Sequence, residues 1–199
     1  MFDIVCLDLE GVLVPEIWIQ VAQRLNIAEL RATTRDIPDY DVLMRQRLRI
    51  LAEHQISLQQ IQQVIAAMGP LSGAREFLDW VRERYQLIIL SDTFYEFAQP
   101  LMRQLGWPTL FCHHLEIDAA GYISNYRLRQ KDQKTQAVRR LHELNFSVVA
   151  AGDSYNDTGM LAEADRGLFF DAPINIQAEF PQFLATHNYA ELQQAITAA

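Results

Sequence analysis

The chain has 199 residues, of which 50% are hydrophobic, and this composition excludes a disordered protein and suits one globular domain of ordinary size with a substantial core. Its 17 basic and 25 acidic residues give a formal net charge of -8, which argues against a uniformly basic nucleic-acid surface. Because no stretch approaches the roughly 20 apolar residues of a membrane span and the N-terminus has no basic secretion segment, we expect a cytoplasmic protein without a membrane partner.

The first predicted element is a buried strand, IVCLDL from Ile4, which ends in two acidic residues. Its continuous apolar run is typical of a strand in a parallel sheet. A strand turns residues i and i+2 to the same face, so Asp8 and Glu10 should point the same way. Because like charges at this spacing repel, we expect a positive group between them.

An all-helical segment follows the first strand, between residues 15 and 71. Its helical patterns are IWIQVAQRLNI, DYDVLMRQRLRILAEH and SLQQIQQVIAAM, and the last begins with Ser57 and Gln60 at the spacing of a capping box. Ligands of open α/β sheets bind at the carboxyl edge of the sheet. We therefore predict that residues 15–71 form a helical cap over that edge of a core made of residues 1–14 and 72–199.

Strands and helices alternate through the rest of the chain, and this predicts an α/β fold with a Rossmann-like parallel sheet. The further strands are LIILSD from Leu87 and SVVAAGD from Ser147, with GLFF from Gly167 as a weaker fourth. The helical patterns are AREFLDWVRERY, EFAQPLMRQLG, DQKTQAVRRLHEL and DTGMLAEA. LEIDAAGYISNYRL differs, because two short alternating segments flank Gly121, and it predicts a β-hairpin.

Polar residues end each of the three strong strands. They are Asp8 and Glu10, then Ser91 and Asp92, then Gly152, Asp153, Ser154, Asn156 and Asp157. The carboxyl ends of parallel strands meet in one crevice, so these residues should lie together. Carboxylates, a hydroxyl and an amide suit a hard, oxygen-seeking cation, and we predict Mg²⁺. The ion would supply the positive charge that the first strand requires.

Several of these residues also have ordinary structural interpretations. Ser91 and Asp92 could simply start a helix, since serine is a common cap. The two histidines His113 and His114 are adjacent in a predicted strand, face opposite sides and cannot easily share an ion, so we interpret both as structural. The two cysteines, Cys6 and Cys112, lack metal-type or CxxC spacing, and we expect buried thiols in a reducing compartment.

Four segments in order resemble the motifs of the haloacid dehalogenase superfamily of phosphotransferases: DLEGVL at Asp8, ILSD around Ser91, Lys134 before a helix, and GDSYND at Gly152. The helical insert resembles the cap of phosphoserine phosphatases. The segments LEGVLVPEIWI, TTRDIPDYDVLMRQRLRI and LSDTFYEF resemble a subgroup described as bifunctional phosphoserine phosphatase/homoserine phosphotransferase. The resemblance implies an Mg²⁺-dependent enzyme that removes the phosphoryl group from phosphoserine and passes it to water or homoserine.

The resemblance also implies roles for the first motif and its metal. Asp8 would attack phosphorus and form an aspartyl-phosphate. Glu10 would protonate the leaving alkoxide and later take a proton from the incoming water or alcohol. Asp8, Asp153 and the backbone carbonyl of Glu10 would hold Mg²⁺.

The remaining motifs would hold the phosphoryl group. Ser91 would donate hydrogen bonds to its oxygens, with Asp92 beside it at the substrate, and Lys134 would neutralise both these oxygens and the nucleophile. Asp157 would keep Lys134 in place, Asn156 would reach the substrate or the phosphate, and Gly152 would supply the turn. Lys131 is a near rival of Lys134, because either residue can be a solvated lysine at the start of a helix.

One residue departs from the superfamily pattern, because the second acid of the first motif is usually aspartate and here it is Glu10. The longer side chain moves the proton by about 1.5 Å, a displacement that can cost orders of magnitude in rate. Our hypothesis is that a displaced base favours a bound hydroxyl acceptor over free water.

The cap is expected to select the substrate. Glu16 stands where phosphoserine phosphatases carry an acid for the substrate ammonium, and Arg47 resembles their arginine for the substrate carboxylate. Arg49 is a competitor for the second role, but residues 47 and 49 point to different faces of a helix, so only one can face the site.

Other functions are compatible with these residues. A related enzyme could act on another small phosphomonoester, and a dehalogenase would use the same aspartate without metal, although Glu10 and Asp153 argue against that. A phosphoacceptor signalling module is the non-enzyme alternative, and the helical cap argues against it. The sequence leaves the oligomeric state open, a homodimer included.

Overall fold

A seven-stranded sheet forms the centre of the molecule in a computed structural model that describes residues 2–33, 36–37 and 39–198. The strands are β1 Ile4–Leu7, β2 Gln86–Phe94, β3 Thr109–Ile117, β4 Ile123–Arg127, β5 Val148–Gly152, β6 Arg166–Phe170 and β7 Leu184–Thr186. Their order is β4-β3-β2-β1-β5-β6-β7, and every pair is parallel except β3 with β4. The predicted α/β fold with a Rossmann-like parallel sheet is confirmed.

Helices cover the faces and the carboxyl edge of this sheet. They are α1 Ile17–Leu25, α2 Tyr40–Glu53, α3 Leu58–Ala66, α4 Ala74–Arg82, α5 Tyr95–Gln104, α6 Gln133–Glu143, α7 Thr158–Glu163, α8 Ile174–Glu179 and α9 Tyr189–Thr197. Two 3₁₀ turns, Ala28–Arg31 and Tyr155–Asp157, complete them. Within the described residues, no helix combines the length and the apolar composition needed to cross a membrane.

The strand β1 shows why its sequence is apolar without alternation. Val5 and Leu7 point into the larger of two cores, whereas Ile4 and Cys6 point into the smaller one. Because both faces of a central parallel strand are buried, every position in it favours an apolar side chain. Cys6 and Cys112 are both buried and free, as predicted, and burial raises the pKa of the Cys6 thiol to about 12.

Three helices lie between residues 15 and 71, in agreement with the prediction of a helical insert. Ser57 and Gln60 form the predicted capping box at the start of α3. The insert is fastened to the core at two places: the Leu58 N–H donates to the Gly121 carbonyl at 3.0 Å, and the Gln62 amide donates to the Glu96 carbonyl at 2.7 Å. The turn of the β3–β4 hairpin and the start of α5 therefore support the cap.

The domain boundaries at residues 15 and 71 stay a prediction. Parts of the predicted segments also lie outside the described residues, namely Met1 and Ala199 of the core and Thr34, Arg35 and Pro38 of the motif TTRDIPDYDVLMRQRLRI.

The strand LIILSD was predicted to end at Asp92, and the alternative interpretation of its last two residues as a helix start is wrong. Ser91 and Asp92 do not start a helix, because β2 continues to Phe94 and α5 begins at Tyr95. The elements α8, β7 and α9 were not predicted; β7 has only three residues, too few to show a periodic pattern.

Candidate active site

The first part of the site is the turn that follows β1. The Asp8 N–H donates to the Ala151 carbonyl at 2.9 Å, which fastens the end of β1 to β5. Gly11 has a φ of 76°, and a Cβ there would lie 2.5 Å from the carboxylate carbon of Asp153. Only glycine fits this turn without strain, because the backbone is left-handed and the Asp153 carboxylate already fills the space. The turn at Gly11 therefore lets the chain pass close to Asp153, at the end of β5.

A buried lysine lies against the Asp8 carboxylate. The Lys134 ammonium, on the first turn of α6, is 2.8 Å from an oxygen of Asp8 and 2.7 Å from an oxygen of Asp157. Burial opposes the charged form, but Asp157, Asp8 and Asp92 together raise the pKa of Lys134 well above its ordinary value. The Lys134 ammonium therefore stays charged. The alternative residue, Lys131, is exposed and lines a different cavity.

Three carboxylates meet at the tips of β1 and β5. Oxygens of Asp8, Asp153 and Asp157 all lie within 4.8 Å of one another. Burial, with the charges of Asp157 and Asp153, raises the pKa of Asp8 well above its usual range, although Lys134 opposes the shift. Three carboxylates around one ammonium leave an excess of negative charge among oxygen donors. This donor set fits a hard divalent cation such as Mg²⁺.

Both carboxylate oxygens of Asp157 have hydrogen-bond partners. One oxygen faces Lys134, and the other accepts hydrogen bonds from the backbone N–H groups of Asp153 at 3.0 Å and Ser154 at 3.1 Å. A Cβ at Gly152 would collide with this carboxylate. Asp157 thus has the geometry of a residue that holds Lys134 and the loop after β5.

The Glu10 carboxylate is not part of this cluster of three acids. It accepts a hydrogen bond from the backbone N–H of Ile17 at 2.7 Å, at the start of α1. Burial and the nearby Glu16 charge raise the pKa of Glu10 to about 8, although the Ile17 hydrogen bond, Arg47 and Lys134 act in the opposite direction. A carboxyl group that is protonated near neutral pH suits a general acid. Metal binding by the Glu10 backbone carbonyl stays a prediction.

Ser91 and Asp92 occupy the last part of β2 and line the same cavity. Burial alone would raise the pKa of Asp92, but the Lys134 charge and hydrogen bonds from His113, Asn156 and Gln133 hold it well below its usual value. The Asn156 amide donates to the Asp92 carboxylate at 3.0 Å. Asp92 is therefore an ionised anchor for Asn156, whereas the Ser91 hydroxyl oxygen accepts a hydrogen bond from the Thr93 backbone N–H at 3.3 Å.

Arg47, on helix α2 of the insert, lines the site. Arg47 is 7% exposed, its guanidinium lies 4.5 Å from the centre of the Trp18 ring, and its Nη2 donates to the Ala32 carbonyl at 2.8 Å. The Arg47 Nε has no hydrogen-bond partner among the described residues. Arg49, in contrast, is exposed and pairs with Glu53 at 3.7 Å. The structure thus turns Arg47, and not Arg49, toward the cavity.

All the predicted side chains except Asp157 line one cavity of about 340 Å³ between the sheet edge and the cap. They are Asp8, Glu10, Glu16, Arg47, Ser91, Asp92, Lys134, Asp153, Ser154 and Asn156. Trp18, Tyr40 and Leu43 of the cap add an apolar wall. Glu16, at the start of α1, lines the cavity and is exposed.

Sequence reasoning missed Gln133 and Tyr40. The Gln133 amide donates to the Ser91 carbonyl at 2.5 Å, and the Tyr40 hydroxyl donates to the Asp92 carbonyl at 3.1 Å. The one available signal was the position of Gln133 next to Lys134. His113 was interpreted as structural, and the structure places its ring 3.5 Å from the Asp92 carboxylate.

Comparisons with known proteins agree on one family. A family model described as haloacid dehalogenase-like hydrolase matches residues 2–165. Phosphoserine phosphatase ThrH of Pseudomonas aeruginosa is 63% identical over 192 residues, which cover 96% of this chain and 94% of that protein. A phosphoserine phosphatase of Pseudomonas syringae pv. tomato is 62% identical over 192 residues, covering 96% of this chain and 81% of that protein.

Solved structures share the fold. A substrate-bound phosphoserine phosphatase superposes with a TM-score of 0.80 at 17% identity, covering 98% of each chain. A phosphoserine phosphatase from T. onnurineus gives a TM-score of 0.75 at 21% identity, covering 100% of this chain and 96% of that one.

Proposed function

The chain belongs to the haloacid dehalogenase-like hydrolases, and from this premise we propose that it is an Mg²⁺-dependent phosphoserine phosphatase that works through an aspartyl-phosphate. The observation that carries the proposal is the 63% identity to a phosphoserine phosphatase over 96% of the chain. The buried pair of Asp8 and Lys134 supports it, because a phosphoryl acceptor needs a nearby cation to approach an anionic substrate.

In the proposed first step, an oxygen of Asp8 attacks phosphorus and the bond from phosphorus to the serine oxygen breaks. Glu10 donates its proton to the departing alkoxide, which leaves as serine. Ser91 and Lys134 hold the phosphoryl oxygens meanwhile. In the second step, Glu10 takes a proton from water, the water oxygen attacks phosphorus, and the Asp8 carboxylate is released together with phosphate.

Asp8, Asp153 and the Glu10 backbone carbonyl would hold Mg²⁺. The ion would neutralise charge on the phosphoryl oxygens and on the nucleophile. Asp157 would act on this set indirectly, by holding Lys134 at 2.7 Å and by fixing the loop that carries Asp153.

The direct test is phosphate release from phosphoserine, followed by ³¹P NMR with Mg²⁺ and again after exhaustive chelation. We expect release that requires Mg²⁺ and returns when the ion is restored. If a panel of other small phosphomonoesters is hydrolysed faster than phosphoserine, the substrate assignment is wrong although the chemistry stands.

We also propose that homoserine accepts the phosphoryl group, as the sequence resemblance implies. An alcohol acceptor must occupy the position of the leaving serine, where Glu10, which is a carboxylate after the first step, can take its proton. In the same NMR experiment, added homoserine should give phosphohomoserine at the expense of free phosphate.

Replacement of Glu10 by aspartate tests the effect of side-chain length on this partition. The shorter acid withdraws the base by about 1.5 Å from a bound acceptor, so the ratio of phosphohomoserine to phosphate should fall several-fold. Both products are measured in one reaction with phosphoserine and homoserine. An unchanged product ratio would contradict the hypothesis.

Arg47→Met tests recognition of the substrate carboxylate. Loss of a charge-assisted hydrogen bond is worth about 1.5–3 kcal/mol, so KM for phosphoserine should rise roughly 10–100-fold. KM for p-nitrophenyl phosphate, which has no carboxylate, should change much less. The matched control is Arg49→Met, which removes an exposed guanidinium; an equal effect of both variants on phosphoserine would refute the assignment of Arg47.

A further inference from the structure

A second group of polar side chains, Gln133, Arg129 and His113, contacts the segment formed by Ser91 and Asp92. The buried amide of Gln133 donates from Nε2 to the Ser91 carbonyl at 2.5 Å and to Oδ1 of Asp92 at 3.3 Å. Its own oxygen accepts two hydrogen bonds from Arg129, from Nε at 3.2 Å and from Nη2 at 2.9 Å. One amide therefore links an arginine outside the site to the strand tip inside it.

Arg129 determines which way this amide points. An amide can rotate and exchange its oxygen for its nitrogen, and only the nitrogen can donate to the Ser91 carbonyl and the Asp92 carboxylate. Arginine has donors and no acceptor, so a guanidinium against one end of the amide requires the oxygen there. With Arg129 in place, Gln133 must present its NH₂ group to β2.

A second branch starts from the same residue. The backbone N–H of Arg129 donates to Nδ1 of His113 at 3.1 Å. A neutral imidazole whose Nδ1 accepts carries its proton on Nε2. This Nε2 faces Oδ1 of Asp92 at 3.5 Å, so both branches converge on the same carboxylate oxygen.

The other oxygen of Asp92 is directed to the active site. It accepts from the Asn156 amide at 3.0 Å and lies 3.8 Å from the Lys134 ammonium. The contacts of Gln133 and His113 with Oδ1 therefore also fix the position of Oδ2. Through Oδ2 they fix the Asn156 amide and the Lys134 ammonium, which line the part of the cavity that would hold the phosphoryl group, here called the phosphoryl pocket. A displacement of about 1 Å at such groups can cost roughly 100-fold in rate.

We propose that Arg129 and Gln133 are positioning residues that orient the Ser91–Asp92 segment, and through it Asn156, for the phosphoryl group. The proposal rests on the proposed function and adds to it residues that touch neither substrate nor metal. Their contribution is preorganisation: the donors of the phosphoryl pocket are fixed before the substrate arrives.

The test compares Arg129→Met, Gln133→Met and the double variant with wild type. Arg129 is exposed, so its replacement should leave the fold intact while Gln133 loses its orientation. We expect kcat with phosphoserine to fall about 10-fold in Arg129→Met and further in Gln133→Met, with a smaller change in KM because Arg47 and Glu16 hold the serine portion.

The decisive result is non-additivity. If Arg129 acts through Gln133, the double variant should be no slower than Gln133→Met alone. Additive losses of kcat in the double variant would contradict the proposal that Arg129 acts through Gln133. The matched control is Arg127→Met, which removes an exposed guanidinium two residues away and should leave kcat unchanged; an equal loss in Arg127→Met would also overturn it.

Binding of orthovanadate, measured by calorimetry in the presence of Mg²⁺, separates this inference from the proposed function. We expect about 10-fold weaker binding to Arg129→Met than to Arg127→Met, because the phosphoryl pocket is disordered even without turnover. If Arg129→Met binds orthovanadate with the affinity of the wild-type protein, the positioning role of Arg129 is rejected. Weaker vanadate binding together with no phosphate release from phosphoserine by the wild-type protein would support the positioning role of Arg129 and reject the proposed substrate.

Discussion

Asp8→Asn is expected to lower phosphate release from phosphoserine by a factor of about 10⁴ or more, the scale seen when a covalent nucleophile is removed. A neutral amide oxygen is a poor nucleophile for phosphorus and cannot form the aspartyl-phosphate. The fold should persist, because asparagine has nearly the same volume and Lys134 keeps its 2.7 Å contact with Asp157. Initial rates at saturating Mg²⁺ and thermal unfolding, followed by circular dichroism, measure both effects.

Two controls make the Asp8 result decisive. Asp171→Asn removes a carboxylate that is 72% exposed and should leave the rate unchanged. Mass spectrometry must show that the asparagine has not deamidated, since deamidation restores the nucleophile. If an intact Asp8→Asn protein keeps a rate within about tenfold of wild type, the aspartyl-phosphate mechanism is wrong.

Lys134→Met should have the second largest effect, on both stability and activity. It leaves Asp8 and Asp157 buried without their shared cation, and breaking a buried ion pair in this way costs about 3–5 kcal/mol. The loss of charge at the phosphoryl oxygens should also reduce kcat by about 10³-fold. Urea unfolding measures the change in the free energy of unfolding, and initial rates with phosphoserine measure the change in kcat.

The matched control for this variant is Lys131→Met, since that lysine is exposed and lies only three residues upstream. We expect its stability and kcat to stay near wild type, as is usual for a surface substitution. Mg²⁺ should stabilise Lys134→Met more than wild type, because an ion that binds only the folded protein offsets the unpaired carboxylates. Equal effects of the two lysine replacements would refute the placement of Lys134 at the nucleophile.

Much of the fold follows from local patterns in the sequence. The apolar runs of β1, β2 and β5 each have two buried faces, and the helices of the insert have an apolar face with recognisable caps such as Ser57. The strand that carries Ser91 and Asp92 was predicted, with its end at these two residues. In the structure, β2 continues past them to Phe94.

The candidate site was predictable to the extent that strand ends determine it. Residues that follow parallel strands must meet at one edge, so chain order alone groups Asp8, Ser91 and Asp153. Gln133 was not predictable in this way. Its amide acts only because Arg129 and Ser91 lie on either side of it, and those residues are distant from each other in sequence.

The sequence by itself determined the α/β class, the helical insert and the set of acids at the strand tips, since each depends on periodicity or on chain order. Only the tertiary structure decided between Lys134 and Lys131 and between Arg47 and Arg49. The members of each pair have the same chemistry and are close in sequence, so local pattern cannot separate them. Burial separates them, because an ionised side chain is tolerated inside a protein only where opposite charges or hydrogen-bond partners surround it, and those partners come from distant parts of the chain.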